Sequence, residues 1–412
     1  GGVLDRVDGI IFAVPFSYFL LNFIKIKKKI SILGSTGSIG KNLLSIIAKD
    51  KKNLKIVLLS ARRNYKLLLK QANNFDVKDI IITDIKSFKK AKKINKNKKI
   101  NIHNNFEVLD KIFRSKIDYT MSSIIGLDGL YPTLKIIRHT KLIAIANKEA
   151  IICGWSLIKK KIKKYKTKFL PVDSEHFSIW KIINSENKKN IDQIFLTASG
   201  GPFLHKTINQ IKNVNVSEAL NHPNWKMGKK ISIDSATMMN KVFEVIETKN
   251  IFSTTYEKIS ILIHPKSYIH AIVQFHDGTF QFLAHETSMK IPIFNTLYLD
   301  QNKKFNNKKL NIDVLNNLEL QIIDDKLFPV INILKYLPSQ SSLFETVLVA
   351  ANDELVNLFI KNKISFNDIS KNILRFINLK EFQKYKKKNP KNIQDIHILS
   401  NYVRLKVNSL CV

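Results

Sequence analysis

"KISILGSTGSIGKNLLSIIAK", residues Lys29–Lys49, predicts a buried strand, a glycine-rich turn and a helix in direct succession. Gly34, Gly37 and Gly40 lie three residues apart in the turn. Glycines at such a junction let the backbone approach a pyrophosphate, whose charge the helix N-terminus stabilises. A simple tight turn has the same spacing, but the position after a first strand favours dinucleotide binding.

The end of the second predicted strand indicates which dinucleotide binds. An acidic residue there usually holds a ribose 2′-hydroxyl, whereas this chain reads "SARRN", with Arg62 and Arg63. Arginines suit a 2′-phosphate, so we predict NADPH rather than NADH. Two solvated arginines in a lysine-rich protein are the alternative.

Short apolar runs alternate with helical patterns from Lys29 to about Asp173, which predicts an α/β fold with a parallel sheet. Beyond Asp173 strands and helices mix, and beyond Leu327 the pattern is helical. We therefore predict an N-terminal doubly wound, Rossmann-like NADPH domain, a central α+β catalytic domain and a C-terminal helical domain. The predicted boundaries are 1–24 for an extension, 25–172 for the NADPH-binding domain, 173–300 for the catalytic domain, 301–326 for a linker and 327–412 for the helical domain.

The composition excludes several classes of protein. Lys and Arg number 68 against 33 Asp and Glu, a net charge of +35. The lysines are spread along the chain, so we interpret them as a compositional bias and predict no nucleic-acid partner. Two distant cysteines, Cys153 and Cys411, exclude a disulfide framework and fit a reducing compartment. The apolar run Gly9–Ile24 is short for a membrane span, so we expect no stable membrane association.

"PVDSEH" (Pro171–His176) follows a predicted strand and carries two carboxylates. Asp173 and Glu175 are two residues apart, so in an extended chain their side chains project to one side. Neighbouring carboxylates repel one another unless a cation lies between them, and oxygen ligands suit Mg²⁺ or Mn²⁺. A polar loop that caps the strand is the alternative.

"SIDSATMMNKVFEVIE" (Ser232–Glu247) predicts a helix that starts near Ser235 or Thr237. Asn240, Lys241 and Glu244 then share one helix face. This face offers a carboxylate to a metal, and an amide and an ammonium to a phosphate. An ordinary surface Lys–Glu pair is the alternative.

Three shorter motifs supply further candidates. "TASGGP" (Thr197–Pro202) presents Ser199 and two glycines to an anion, or forms a plain turn. "HPNWKMGKK" (His222–Lys230) either closes over a substrate or is a loop anchored by its Trp. "IANKEA" (Ile145–Ala150) ends a strand on the cofactor side and carries Lys148.

Together these segments resemble the 1-deoxy-D-xylulose 5-phosphate reductoisomerase family of the non-mevalonate isoprenoid pathway. The resemblance rests on "GSTGSIG", "ANKE", "PVDSEH", "SGGPF", "HPNWKMGKKISIDSATMMNK" and "HPKSYIHA", in family order from about Lys28 to the C-terminus. It implies an enzyme that rearranges and reduces 1-deoxy-D-xylulose 5-phosphate to 2-C-methyl-D-erythritol 4-phosphate. It also implies NADPH, one divalent cation (Mn²⁺, Mg²⁺ or Co²⁺), a homodimer, and a bacterial cytoplasmic location or, in a eukaryote, the plastid stroma.

The resemblance also implies a role for each matching residue. The cofactor would be bordered by Thr36, Gly37, Ser38, Ile39, Arg62, Arg63, Asn64, Asn147, Glu149 and Gly228. The cation would be held by Asp173, Glu175 and Glu244. The phosphorylated substrate would be contacted by Lys148, Ser174, Glu175, Ser199, His222, Ser235, Asn240, Lys241 and Glu244. Catalysis would depend on Lys148, Glu175 and Glu244, and Trp225 and Met227 would lie on a mobile flap.

The chain departs from the family pattern in two places. The usual Gly-Leu-Glu after "MMNK" is Val242, Phe243 and Glu244, which keeps the glutamate in register. The usual Gly-Glu-Pro-Asp-Met segment is replaced within "AHETSMKIPI" (Ala284–Ile293). A semialdehyde-type dehydrogenase with a cysteine nucleophile, a basic nucleic-acid-binding protein and a non-catalytic relative are the rival hypotheses.

Overall fold

The computed structural model describes residues 13–14, 27–95, 99–184, 190–225, 227–299, 301–306 and 312–411. The extension of residues 1–24, apart from residues 13–14, therefore lies outside the described part of the chain, as do residues 307–311 of the predicted linker. Within the described ranges, no helix combines the length and apolarity needed to cross a bilayer.

The predicted parallel sheet is present and has seven strands. The strands, in chain order, are β1 (Lys28–Leu33), β2 (Leu54–Ala61), β3 (Asp79–Ile82), β4 (Asn101–His103), β5 (Ile117–Ser122), β6 (Thr140–Ile145) and β7 (Lys168–Pro171). Their spatial order is β4-β3-β2-β1-β5-β6-β7, and every pair is parallel. The direction of winding reverses between β1 and β5, which is where doubly wound sheets bind ligands.

Helices cover both faces of this sheet. They are α1 (Ser38–Ile47), α2 (Tyr65–Asn74), α3 (Ile85–Ile94), α4 (Leu109–Ile112), α5 (Leu130–Ile136) and α6 (Lys148–Tyr165). Leu43 and Leu44 of α1 and Leu68 of α2 pack with Ile30 and Ile32 in a core on one face. The fold class predicted from strand–helix alternation is thus confirmed.

At two of the three glycines between β1 and the first turn of α1, a side chain would clash with nearby backbone atoms. Gly34 has a φ of +87°, and a Cβ there would lie 2.8 Å from the carbonyl oxygen of Ser123. A Cβ on Gly40 would lie 2.5 Å from the Cα of Ser35, so only glycine lets α1 approach β1 this closely. Gly37 has room for a side chain on its open side, where it faces the cavity described below.

A second sheet of five strands follows, in the order β11-β10-β8-β9-β12. The strands are β8 (Ile191–Ala198), β9 (Ile259–Ile263), β10 (Ile269–Phe275), β11 (Phe280–Ala284) and β12 (Gln321–Ile322). β8 pairs with β9 in parallel, and the other pairs are antiparallel. The helices of this region are α7 (Ser174–Asn184), α8 (Ile208–Ile211), α9 (Val216–Leu220), α10 (Lys229–Ala236), α11 (Met239–Phe252) and α12 (Lys290–Leu297).

The C-terminal part is helical, as predicted. It contains α13 (Ile312–Asn316), α14 (Phe344–Ile360), α15 (Phe366–Ile377), α16 (Lys380–Gln383) and α17 (Ile393–Cys411), with a 3₁₀ segment at Pro329–Tyr336. β12 and α13 fall inside the predicted linker, so this segment adds a strand to the second sheet. The helix α12 belongs to the predicted catalytic domain but packs on the first sheet. Thr296 of α12 contacts Tyr119 of β5 (3.0 Å between the hydroxyl oxygens), and Ile293 lies in the core that contains α1. The domain boundaries themselves stay a prediction.

Candidate active site

A cavity of about 380 Å³ opens where the glycine-rich turn, the β6–α6 junction and the second sheet meet. Gly37, Ser38 and Ile39 line one end of the cavity, beside Ala146 at the end of β6. The remaining predicted residues on its walls are Asn147, Lys148, Glu149, Asp173, Ser174, Glu175, Ser199, His222, Trp225, Met227, Gly228, Ser235, Asn240, Lys241 and Glu244. The fold therefore collects motifs that are far apart in the sequence around a single space.

Three carboxylates converge in this cavity. Oxygen atoms of Asp173, Glu175 and Glu244 lie within 4.8 Å of one another. Glu244 is fully buried, while Asp173 and Glu175 are half-buried. Carboxylate oxygens alone at this separation form a donor set that suits Mg²⁺ or Mn²⁺, so the residues present fit a divalent cation.

The local geometry behind this convergence differs from the sequence prediction in two respects. Asp173 and Glu175 were expected on extended chain, but α7 begins at Ser174, so Glu175 lies in its first turn and its N–H donates to Asp173 Oδ1 (3.2 Å). The second helix was expected to start near Ser235 or Thr237. Instead α10 runs through Ser235, and Met238, with a φ of 66°, separates it from α11. This break turns the chain and points Glu244 at the other two carboxylates.

Two lysines, the half-buried Lys148 and the buried Lys241, bind the three carboxylates. Lys148 Nζ lies 2.7 Å from Asp173 Oδ2 and 2.9 Å from Glu244 Oε1. Lys241 Nζ lies 3.2 Å from Glu175 Oε1, contacts Glu244 Oε2 and donates to the carbonyl of Thr197 at 2.6 Å. These ammonium groups supply positive charge beside three adjoining carboxylates that would otherwise repel one another.

The environment shifts the pKa values of these groups in opposite directions. Burial, together with repulsion from Glu244, raises the pKa of Glu175 to about 8. Burial also opposes the charge of Asp173, but Lys148 outweighs it and holds the pKa of Asp173 well below its usual value. Burial alone would lower the pKa of Lys148, yet Asp173 and Glu244 keep it well above normal. Strongly perturbed groups of this kind cluster at functional sites.

A second cluster of polar side chains, which contains no carboxylate, lines another part of the cavity. Ser199 Oγ lies 3.1 Å from His222 Nε2, and Gly201 N–H donates to the same Oγ at 3.1 Å. His222 Nδ1 accepts the backbone N–H groups of Asn224 (3.1 Å) and Trp225 (3.0 Å), so its proton lies on Nε2. Burial lowers the pKa of His222 to about 4, which keeps the ring neutral at neutral pH. Ser199 and His222 thus present hydroxyl and imidazole groups to an anion.

Asn240 and Lys241 lie closer to the carboxylates than the sequence suggested. Asn240 Nδ2 donates to Glu244 Oε1 at 2.5 Å, and Lys241 binds Glu175 and Glu244 as described. The shared helix face predicted for Asn240, Lys241 and Glu244 is present, but in this structure the amide and the ammonium face the carboxylates.

Four predicted cofactor residues do not line the cavity. Thr36 lies in the glycine-rich turn, and the other three lie at the end of β2. The exposed Arg62 pairs with Asp128 at 2.7 Å, and Arg63 lies 3.8 Å from Asp84. Asn64 accepts the N–H of Leu67 and caps α2. The two arginines lie where the second strand of a dinucleotide-binding sheet meets the adenosine ribose.

Several polar residues around the cavity, buried or partly buried, are absent from the site predicted from the sequence. His176, one residue after Glu175, lies 3.4 Å from Asp173, and Glu247 lies 3.6 Å from Lys148. Lys230 binds three carboxylates, and His270 stacks on His285 with ring centroids 3.8 Å apart. His176, Lys230, Glu247 and His270 all lie inside the quoted motifs, so their types and positions were visible in the sequence, and Glu247 follows Glu244 by three residues on the same helix.

Comparison with known proteins assigns the chain to a family. The model described as 1-deoxy-D-xylulose 5-phosphate reductoisomerase matches residues 30–154. Models for the C-terminal domains of the same enzyme match residues 169–252 and 285–406. The chain belongs to the 1-deoxy-D-xylulose 5-phosphate reductoisomerase family.

Individual members of the reductoisomerase family match over nearly the whole chain. The 1-deoxy-D-xylulose 5-phosphate reductoisomerase of Pelagibacter ubique (strain HTCC1062) is 56% identical over 387 residues, which are 93% of this chain and 100% of that protein. The reductoisomerase from Zymomonas mobilis in complex with NADPH superposes with a TM-score of 0.83 at 30% identity, covering 94% of this chain and 99% of that one. A DOX-P reductoisomerase in complex with NADPH, fosmidomycin and magnesium gives a TM-score of 0.86 at 30% identity, covering 93% and 98%.

The structure disfavours the rival dehydrogenase that uses a cysteine nucleophile. Cys153 is buried in α6, contacts the carbonyl of Glu345 at 3.9 Å and does not line the cavity. Burial raises the pKa of the Cys153 thiol well above its usual value, so the thiolate is scarce. This enzyme of the reductoisomerase family therefore has no cysteine among the described residues of its cavity.

Proposed function

We propose that this enzyme converts 1-deoxy-D-xylulose 5-phosphate to 2-C-methyl-D-erythritol 4-phosphate for isoprenoid precursor synthesis, with NADPH and one divalent cation. The observation that carries the proposal is the convergence of Asp173, Glu175 and Glu244 in the cavity that also contains Gly37 and Ser199. Family membership supplies the reaction. The related structures bound to NADPH, and to NADPH with fosmidomycin and magnesium, support the cofactors.

The proposal assigns the cation to the three carboxylates, with Mg²⁺, Mn²⁺ or Co²⁺ as candidates. When bound, a divalent cation polarises substrate oxygens and stabilises the negative charge that develops on them. Lys148 and Lys241, which contact these carboxylates, would also offer their ammonium groups to the anionic substrate.

The remaining residues bind and orient the substrate. Ser174 donates to Glu175 Oε2 (2.6 Å), so its hydroxyl is held beside the carboxylates proposed to bind the cation. Ser199, His222 and Ser235 would hold the phosphate away from the carboxylates, and Asn240 and Lys241 would turn toward it. Binding the remote phosphate orients the carbon skeleton, and closure of Trp225 and Met227 would exclude water from the aldehyde intermediate.

The topology of the first sheet determines where we place the cofactor. Thr36, Gly37, Ser38 and Ile39 would bind the pyrophosphate at the N-terminus of α1, where backbone N–H groups favour an anion. Arg62, Arg63 and Asn64 would meet the adenosine 2′-phosphate, and Asn147, Glu149 and Gly228 would border the nicotinamide end. Lys148 then lies between the two halves of the site, next to Asn147 in sequence and bound to Asp173.

A spectrophotometric assay tests the proposal. Purified protein is mixed with NADPH and 1-deoxy-D-xylulose 5-phosphate, with Mg²⁺ or Mn²⁺ or with a chelator, and NADPH oxidation is followed while the product is identified by mass spectrometry. We expect oxidation and 2-C-methyl-D-erythritol 4-phosphate only when a divalent cation is present. Absence of product with every cation, from a folded protein that binds NADPH, would refute the proposed reaction.

We also propose that the enzyme is a homodimer in the bacterial cytoplasm. The edge strand β11 supports the dimer, because its Phe280 and Phe282 are 59% and 52% exposed. Light scattering coupled to gel filtration should give a mass near twice 47.5 kDa. Phe280→Ser with Phe282→Ser should shift that mass toward the monomer, and a wild-type monomer would contradict the proposal.

A further inference from the structure

Lys230 connects three helices beside the cavity. Its Nζ lies 2.9 Å from Glu149 Oε1, 2.9 Å from Asp234 Oδ2 and 3.1 Å from Asp353 Oδ1. Glu149 is on α6, Asp234 is on α10 with Lys230, and Asp353 is on α14. The three carboxylate side chains are 9%, 3% and 10% exposed and that of Lys230 is 28% exposed, so the carboxylates are shielded from water while the ammonium group is partly open to it. Ion pairs in such a setting couple the elements that carry them, because separating them leaves a buried charge unpaired.

Each carboxylate leads to a different part of the enzyme. Glu149 follows Lys148 at the N-terminus of α6, on the proposed cofactor side. Asp234 precedes Ser235 and accepts a hydrogen bond from Asn352 of α14 at 2.7 Å. Asp353 binds Arg404 of α17 at 2.6 Å, so the contact reaches the last helix. Lys230 thereby provides a link between the cavity wall and the C-terminal helices, beside the Asn352–Asp234 hydrogen bond.

Lys230 also lies directly after the loop that carries Trp225 and Met227. The helix α10 begins at Lys229, and Lys230 itself lines the cavity. Its Nζ lies 5.3 Å from the ring centroid of Phe243, a residue that stands where the family usually has Leu. Burial alone would lower the pKa of Lys230, but the carboxylates of Asp234 and Glu149 hold it well above its usual value, so the ammonium stays charged.

We propose that Lys230 is a positioning residue that fixes the C-terminal end of the Trp225 loop against α14, so that the Lys230–Asp353 contact sets how well this loop closes over the substrate. The inference rests on the proposed function of the cavity. It predicts that a change in Asp353, which does not line the cavity, alters substrate binding more than cofactor binding.

The test compares two substitutions in neighbouring residues of α14. Asp353→Asn removes one carboxylate from Lys230 and from Arg404. Glu354→Gln is the matched control, because Glu354 also binds Arg404 (3.4 Å) but does not contact Lys230. The KM for 1-deoxy-D-xylulose 5-phosphate, the Kd for NADPH and the rate of tryptic cleavage within residues 222–231 of the ligand-free enzyme are measured for both variants.

We expect Asp353→Asn to raise the substrate KM about tenfold and to accelerate loop cleavage by a similar factor, with the NADPH Kd within about twofold of wild type. Glu354→Gln should change none of these, although both variants lose a partner of Arg404 and melt earlier. Equal KM values and equal cleavage rates in the two variants would overturn the proposal, since a merely structural contact would affect stability alone.

A further variant and a readout that needs no turnover complete the test. If Asp353→Asn does not fold, Asp353→Glu keeps the charge but displaces the carboxylate, and it should still raise the KM relative to Glu354→Gln. If the wild-type enzyme shows no reductoisomerase activity, the proposed function fails, whereas the cleavage comparison still decides the role of the Lys230–Asp353 contact because it needs no turnover.

Discussion

The substitution Glu244→Gln probes the carboxylate cluster with the least change in shape. Glu244 is 1% exposed, and its carboxylate accepts from Lys148 (2.9 Å) and Asn240 (2.5 Å) and contacts Lys241. Glutamine keeps the volume and one carbonyl oxygen but removes the negative charge. The variant therefore retains the fold of α11 and presents two carboxylates, instead of three, to a cation.

The expected magnitude follows from the burial of the site. Removing one partner from a buried charged cluster costs roughly 3–5 kcal/mol, because the opposite charge stays behind without compensation. At about 1.4 kcal/mol per factor of ten, the affinity for Mg²⁺ or Mn²⁺ should fall by roughly 10²–10³ or more. Turnover should fall by a comparable factor at subsaturating metal, while NADPH binding, which uses the other end of the cavity, should be largely unchanged.

The assay combines metal titration by calorimetry, NADPH binding by fluorescence and NADPH oxidation at a fixed metal concentration. Glu247→Gln is the matched control, because Glu247 is equally buried on the same helix and contacts Lys148 (3.6 Å) but does not belong to the carboxylate trio. Because Glu247 reaches the trio only through Lys148 and His176, its loss should weaken metal binding by roughly tenfold, well short of the loss in Glu244→Gln. If Glu244→Gln binds metal as tightly as Glu247→Gln does, the assignment of Glu244 as a ligand is refuted.

Three further predictions follow from other parts of the structure. Arg63→Ala should reduce the preference for NADPH over NADH by roughly ten- to a hundredfold, because a charge-assisted hydrogen bond of about 1.5–3 kcal/mol to the 2′-phosphate is lost. Trp225→Ala should raise the substrate KM about tenfold and leave NADPH affinity unchanged, since an aromatic contact over the substrate disappears. Burial raises the pKa of Glu345 to about 7 in the folded protein, whereas its usual pKa, expected in the unfolded chain, is 4.5. Between these two pH values the folded protein holds a proton that the unfolded chain has released. The contribution of Glu345 to stability is therefore present below pH 4.5 and is lost as the pH rises through 7, and Glu345→Gln should flatten this decline by up to about 3 kcal/mol in denaturant titrations.

Each of these predictions has a contradicting result. An unchanged ratio of kcat/KM for NADPH and NADH in Arg63→Ala would remove the argument for a 2′-phosphate contact. A Trp225→Ala enzyme with wild-type kcat and KM would exclude a role for the loop in closure. Parallel stability–pH curves for Glu345→Gln and wild type between pH 5 and 7 would show that Glu345 titrates near its ordinary value.

The sequence predicted the fold where local patterns determine it. "KISILG" is a buried central strand, and the glycines after it occupy positions where Gly34 and Gly40 admit no side chain. The alternation that follows predicts a doubly wound sheet because parallel strands need helical crossovers. Trp225, Ser199 and the carboxylates also came from local motifs, and the structure brings them to one cavity.

The local geometry of the site was less predictable. An Asp-x-Glu sequence is compatible both with a strand and with the start of a helix. Here α7 begins at Ser174, between Asp173 and Glu175. The left-handed Met238 between α10 and α11 leaves no propensity signal, since methionine ordinarily favours helix. Such a conformation is imposed by tertiary packing, which a single sequence does not display.

Apart from the carboxylate trio that the family resemblance implied, contacts between distant segments were not predicted from the sequence. The three carboxylates around Lys230 come from α6, α10 and α14, and no spacing rule relates Asp353 to a lysine in another motif. The same holds for α12, whose packing on β5 through Thr296 and Tyr119 crosses a boundary drawn from composition. Pairings of this kind follow from topology, so they become visible only in the folded chain.

The position of the cation is the most direct test of the central claim. Crystals grown with Mn²⁺ and NADPH, measured at a wavelength where manganese scatters anomalously, would locate the ion without assuming its ligands. We predict one strong anomalous peak with an oxygen of each of Asp173, Glu175 and Glu244 at about 2.0–2.3 Å. A fully occupied peak elsewhere in the cavity, or a cluster that retains its lysine pairs and binds no ion at saturating Mn²⁺, would contradict the account.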